Sequence, residues 1–227
     1  MKILRFQRAR SPEHKAERER AILQAASIVL GRDGIESTTL NAIAHEARLA
    51  KSNLYRYFES REEILIRLLG AEAGELITGV AGAYAELAVK DDLERMARIF
   101  AQACNARPRF CLLISQMAPI LERNISIQRV IEVKRGFVPM LEAMAGAIHR
   151  AAPSLGADGA EMTLKTGVTL VAGLWPVAYP PPTVAEALKH PDIAHLHQDF
   201  EGTLARTMVC VMEGIRARRA QGLPLEA

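Results

Sequence analysis

Three cysteines in 227 residues, Cys104, Cys111 and Cys210, are too few and odd in number for a disulfide framework. Their spacing fits neither a CxxC pair nor a zinc site, so free thiols in a reducing cytoplasm are expected. Aromatic residues make up only 5% of the chain, and alanine and leucine are abundant, which favours helices over strands. No segment alternates apolar and polar residues at period two, and no internal repeat appears. The longest apolar run, 166–179, is interrupted by Pro176 and falls short of the roughly 18–20 residues a membrane span needs. The charged first ten residues lead into no apolar segment, so no secretory signal is expected. No Ser/His/Asp set, glycine-rich phosphate loop or paired carboxylates stand in a catalytic context. Neither an enzyme nor a bound cofactor is therefore expected.

Net charge is only +3, so bulk charge does not argue for a nucleic-acid partner. Its distribution does. Residues 1–64 carry 12 Lys+Arg against 9 Asp+Glu, and the remaining residues carry 17 of each. The excess sits at one end, as an electrostatic footprint for DNA would. Lys2, Arg5, Arg8 and Arg10 make a basic arm that reads equally well as a solvated tail or as a contact to phosphates or the minor groove.

The most informative stretch runs from Thr39 to Phe58. Leu40, Ile43, Ala44 and Ala47 recur at helical spacing, Leu49 fills a corner, and Leu54 and Phe58 give a second helix its inward face. Ser52 and Arg56 lie opposite Leu54, flanked by Lys51, Asn53 and Tyr55. Two short helices with a polar, partly basic outer face predict a helix-turn-helix, whose second helix enters the major groove. An exposed helical corner is the plainer alternative.

With the preceding 20–37 segment, this pattern resembles the DNA-binding domain of the tetracycline-repressor (TetR) family. The shared set is an apolar helix through Ile22, Leu23, Ala25, Ala26, Val29 and Leu30, then Gly34-Ile35, Thr38-Thr39, Ile43-Ala44, Ala47, Lys51, Leu54-Tyr55, Tyr57-Phe58 and the run from Ser60 to Leu65. It covers about residues 15–66. The resemblance implies that Lys51, Ser52, Asn53, Tyr55 and Arg56 lie at bases or backbone. It implies that Thr39, Tyr57 and Arg61 hold phosphates and that Asn41 can reach a base. Two positions depart from the pattern: Arg48 where the turn usually has glycine, and Ala50 where a serine cap is common.

The expected architecture is all-α, with about nine to ten helices. A helix-turn-helix DNA-binding domain spans 1–66, and an effector-binding and dimerisation bundle spans 67–227. The first helix is read over 12–32 with Ser11 as its cap, and Gly34 ends it. Its early acid/base mix reads as a solvated face. A capping box at Ser60 and Glu63 opens the helix that leaves the head. Further helices are read from Asp91 or Asp92 to 105 and over 108–123, 125–150 and 160–179, followed by a short one capped by Thr183 and a last one from Pro191-Asp192 to Arg219. The 125–150 stripe is Val130, Val133, Phe137, Leu141, Met144 and Ile148.

Phe100, Cys104, Phe110, Met117, Phe137, Met140, Trp175 and Tyr179 are candidates for an effector pocket, though for any one of them plain core is the better reading. Met144 belongs to the same wider set. His190, Asp192, His195, His197 and Asp199 cluster in sequence, but only His195 and Asp199 share a helical face, so no metal is expected. Cys104 and Cys111 are weak redox candidates. The function expected is a ligand-responsive regulator that acts as a repressor. It would bind double-stranded, near-palindromic operator DNA as a homodimer and respond to a small-molecule effector of unknown identity. Its alternatives are a helical small-molecule or metal-binding protein that does not act on DNA, a helical enzyme, or a scaffold.

Overall fold

The computed structural model describes residues 12–117 and 125–225. The basic arm and Ser11 lie outside the described residues. All regular structure among the described residues is helical. The chain divides into two compact units, 1–68 and 69–227.

In the first unit, α1 (Pro12–Ser37) is interrupted at Gly34, whose φ of 77° and ψ of 174° are closed to residues with a Cβ. The chain then turns, and Thr38 is buried with its Oγ1 donating to the Gly34 carbonyl at 2.7 Å. Thr39 caps α2 (Leu40–Glu46) by accepting from the Ala42 amide at 3.1 Å. Arg48, at φ 53°, takes the left-handed turn that glycine usually takes. Ala50 opens α3 (Lys51–Leu54) with no side-chain cap.

The expected second helix therefore ends four residues early. Tyr55, Arg56 and Tyr57 form a turn, in which the Arg56 and Tyr57 amides bond back three residues, to Asn53 and Leu54. A short uncapped helix tightens in this way at its end. Phe58 still reaches the Leu54 carbonyl at 3.0 Å and is pulled into a core of Ile22, Ala26, Ile43, Leu54 and Ile64.

Helix α4 (Arg61–Ala85) starts in this unit, where Ser60 accepts from the Glu63 amide at 3.1 Å. The buried Glu63 carboxylate accepts from the Glu59 amide at 2.7 Å, which completes the cap one residue before the expected place.

In the second unit, α8 (Gly156–Ala178) packs against α6 (Pro108–Met117), α7 (Ile127–Ala151) and α10 (Phe200–Ala220), and α5 (Leu93–Asn105) packs on α10. Burial on several sides is what the nearly all-round apolar sequence of α8 demands. It begins four residues before the expected start, because Gly156 accepts a φ of 70° at the turn. Pro176 is tolerated within its last turn.

Two expected boundaries change. The short α9 (Pro182–Ala187) is preceded by Pro181 and has no side-chain cap, so Thr183 does not cap it. Residues 191–199 are turn and a 3-10 segment, not the start of the last helix. That segment is almost wholly exposed and has no stripe to bury, whereas Phe200, Leu204, Met208, Met212 and Ile215 do. Asp199 caps α10, accepting from the Gly202 amide at 2.8 Å. In α7, capped by Ser126, Met144 and Ile148 are buried, but Leu141 is 41% exposed. The 118–123 part of the expected sixth helix lies outside the described residues.

No helix among the described residues is long and apolar enough to cross a membrane.

Candidate DNA-reading surface and ligand cavity

The head presents one polar face. Asn41, Lys51, Ser52, Tyr55 and Arg56 are exposed, while Asn53 and Tyr57 are half-buried. Leu54 is fully buried beneath them, so burial on one side of α3 fixes what the other side shows. Tyr55 is 55% exposed, a large ring held largely in water. Arg56 and Asn53 have the donor and acceptor geometry for guanine and adenine edges, and Lys51 suits a phosphate.

One of the nine expected contact residues is already engaged, and another does two jobs. Thr39 accepts the α2 cap bond, which leaves its exposed hydroxyl hydrogen able to donate. Arg61 is turned inward. Its guanidinium donates to the Ile35 carbonyl and lies 3.8 Å from Glu62, so it braces the turn after α1.

A further basic surface went unread in the sequence. His14, Lys15, Glu17 and Arg18 of α1 border one groove with Arg56 and Tyr57. The early turns of α1, expected to be merely solvated, thus stand beside the reading turn. Only the three-dimensional return of the chain reveals this.

Ion pairs hold the frame. Arg32 bridges Asp33 at 2.9 Å and Glu46 at 3.0 Å, joining α1 to α2. The hydrogen bond from Arg32 holds the Asp33 carboxyl below its ordinary range.

In the second unit a cavity of about 220 Å³ lies among α4, α5, α6, α7 and α8. Phe100, Phe110, Met117, Phe137 and Met140 line it, as does Met144. The α4 wall, from Leu69 to Val80, was not foreseen, nor was Lys134, the one charged residue among the described lining. Helix periodicity shows which α4 residues are apolar but not which of its neighbours they face. The α4 and α7 walls are close at Gly74, where a Cβ would be in ordinary contact with the Met140 sulfur at 3.7 Å.

Cys104, Trp175 and Tyr179 do not line the cavity, which corrects the expectation. Cys104 is fully buried, and the Cys111 thiol donates to its carbonyl at 3.3 Å. The hydrogen bond with Cys111, then burial, pushes the Cys104 thiol far up, so a reactive thiolate is disfavoured. Trp175 stacks on Tyr179 at 4.2 Å and meets Phe200 edge-on at 5.0 Å. Tyr179 donates to Asn105, whose amide donates to Glu201. This cluster fastens the ends of α5, α8 and α10.

The histidines of the 190–199 cluster are exposed: His190 lies 3.7 Å from Asp192, and among the described residues no group of three or more ligating side chains could hold a metal ion.

A helix-turn-helix head ahead of an all-helical unit with an apolar cavity is the arrangement of a DNA-binding transcriptional regulator. Residues 22–68 match the family described as bacterial regulatory proteins, tetR family, and residues 69–219 match the tetracyclin repressor-like C-terminal domain. The chain belongs to the TetR family.

Among curated relatives, the fatty acid metabolism regulator protein of Bacillus subtilis (strain 168) is 26% identical over 116 residues, covering 50% of this chain and 52% of that protein. The HTH-type transcriptional repressor KstR of Mycolicibacterium smegmatis is 37% identical over 60 residues, covering 26% and 29%. The chain thus spans about half or less of the length of the curated relatives it matches.

Among solved structures, the TetR family repressor AlkX from Dietzia sp. aligns at TM-score 0.55 and 13% identity over 92% of this chain and 97% of that one. The fatty acid degradation regulator FadR from Bacillus halodurans aligns at TM-score 0.53 and 13% identity, over 87% and 95%. Both show the same fold.

Proposed function

We propose that this regulator is a homodimeric repressor that binds a near-palindromic operator and is released when a small apolar molecule fills the cavity of the second unit. One observation carries the proposal. Helix α4 begins among the contacts of the reading head and continues, unbroken, into the cavity wall at Leu69, Ala73, Leu76 and Val80. A ligand that favours one placement of α4 can change DNA affinity, to the extent that its affinity differs between the two states.

DNA contact is assigned to Asn41, Lys51, Ser52, Asn53, Tyr55, Arg56 and Tyr57, with Thr39 and Arg61 positioning the turns around them. The boundary of the DNA-binding domain falls within the first turns of α4, near residues 66–68. Pairing through α8 and α10 is supported by apolar side chains left half-buried or exposed along both, among them Leu170, Val177 and Val209. Two copies related by a two-fold axis suit an inverted-repeat operator. The apolar lining supports an apolar or amphipathic effector. So do the names of relatives: one is a fatty acid metabolism regulator, and AlkX is implicated in biodegradation of n-alkanes.

The test is selection of bound sequences from random DNA, repeated with aliphatic acids and alkanes. An enriched inverted repeat, lost when one compound is added, supports the proposal. An enriched repeat that no apolar compound releases refutes the effector.

A further inference from the structure

The cavity does not end cleanly. Behind Phe100 lies a second, smaller void of about 10 Å³, and Phe100, Met144 and Leu164 border both spaces. From the geometry we infer that Phe100 is the end-stop of the ligand site and sets the length of the chain it accepts. This rests on the cavity being the effector site, as proposed above.

Three observations converge on Phe100. Its ring, only 8% exposed, borders both the main cavity and a void also lined by Gly167, Met208 and Met212. Glycine at 167 makes room for that ring: a Cβ there would lie 3.3 Å from Phe100 Cε1 and 3.4 Å from the Met208 methyl. The methionines behind the ring are unbranched and repack easily. A shorter side chain at 100 therefore merges the two spaces into one longer channel.

The void suits a chain terminus, not a polar head. Its two hydroxyls are turned to backbone: Tyr84 donates to the Met96 carbonyl at 3.0 Å and Thr163 to the Gly159 carbonyl at 2.7 Å. Along α7, Lys134 stands ten residues from Met144, about 15 Å at the rise of an α-helix. The site is thus a long apolar slot with its charged lining residue far along one wall from the Phe100 partition. The ligand class that fits is a straight aliphatic chain with a polar group at one end only.

The experiment is calorimetric titration of the full chain with straight-chain carboxylic acids from hexanoic to hexadecanoic, with the matching primary alcohols as a second arm. For the unaltered protein, affinity rises about fourfold per added methylene until the chain meets Phe100, then falls. Phe100→Ala moves the maximum to a longer chain, and Phe100→Leu moves it less, which keeps the test available if the alanine variant is unstable. Gly167→Ala in the Phe100→Ala background refills the void and moves the maximum back. An unchanged maximum in both position-100 variants, with binding intact, overturns the end-stop while leaving the cavity as the effector site. If no acid or alcohol binds any of these proteins, both the end-stop and the apolar effector are refuted.

Discussion

Arg109 reaches from α6 to place its Nε 2.7 Å from the Glu72 carboxylate on α4, tying together two helices that line the cavity. Glu72 is one of few buried charged residues in the described chain, at 8% exposure. Removing one partner of such a pair leaves a buried charge uncompensated. Arg109→Met should lower stability by about 1–3 kcal/mol, measured by urea denaturation. Converting both residues to apolar ones should recover much of that loss. Equal destabilisation by the single and double variants would show that the pair does not act as a unit.

Gly31 and Gly34 offer an internally controlled test of the end of α1. Neither would bring an added Cβ within 4 Å of another group, so sterics with neighbours cancel. Gly31 is helical, whereas Gly34 has a φ of 77°. Gly31→Ala should stabilise by about 0.5–1 kcal/mol. Gly34→Ala should destabilise by about 1–3 kcal/mol. Thermal melts of the two variants side by side check the opposite signs.

Lys51 is exposed at the start of α3 and is assigned to a phosphate. Lys51→Ala should weaken binding to operator and unrelated DNA alike and reduce the slope of log affinity against log salt by about one unit. Anisotropy titrations over a salt series give the slope, and an unaltered slope removes Lys51 from the phosphate contacts.

The Asp33 carboxyl, held low by Arg32, contributes stability above its ordinary pKa of 3.8 that is lost as pH falls through its lowered value in the fold. Asp33→Asn should therefore flatten the acid limb of the stability profile and leave it unchanged near neutrality in shape. An acid limb identical to that of the parent protein contradicts the Arg32–Asp33 link.

The head was largely legible because its signals are local. Gly34 ends a helix, Thr39 starts one, and Leu54 and Phe58 point the same way whatever the rest of the chain does. The length of α3 was not legible, since Tyr55 to Phe58 continue a helical spacing that the missing cap at Ala50 does not sustain. The cavity was half legible. Phe100, Phe110, Met117, Phe137 and Met140 line it, but Trp175 and Tyr179 instead meet Phe200 at the far end of α8, a contact that depends on how α8 and α10 pack. The inward turn of Arg61 toward Ile35 depends on a backbone carbonyl 26 residues away, which no local pattern encodes.

The most direct test of the central claim is selection from a random DNA pool with the parent protein and with Tyr55→Ala. Tyr55 is exposed and is not among the buried residues of the head's core, so the variant should fold and pair normally by light scattering. The account predicts an inverted repeat whose halves lie one or more helical turns apart for the parent, and no enrichment for Tyr55→Ala. Enrichment of the same sequence by both proteins, or of none by the parent, would contradict it.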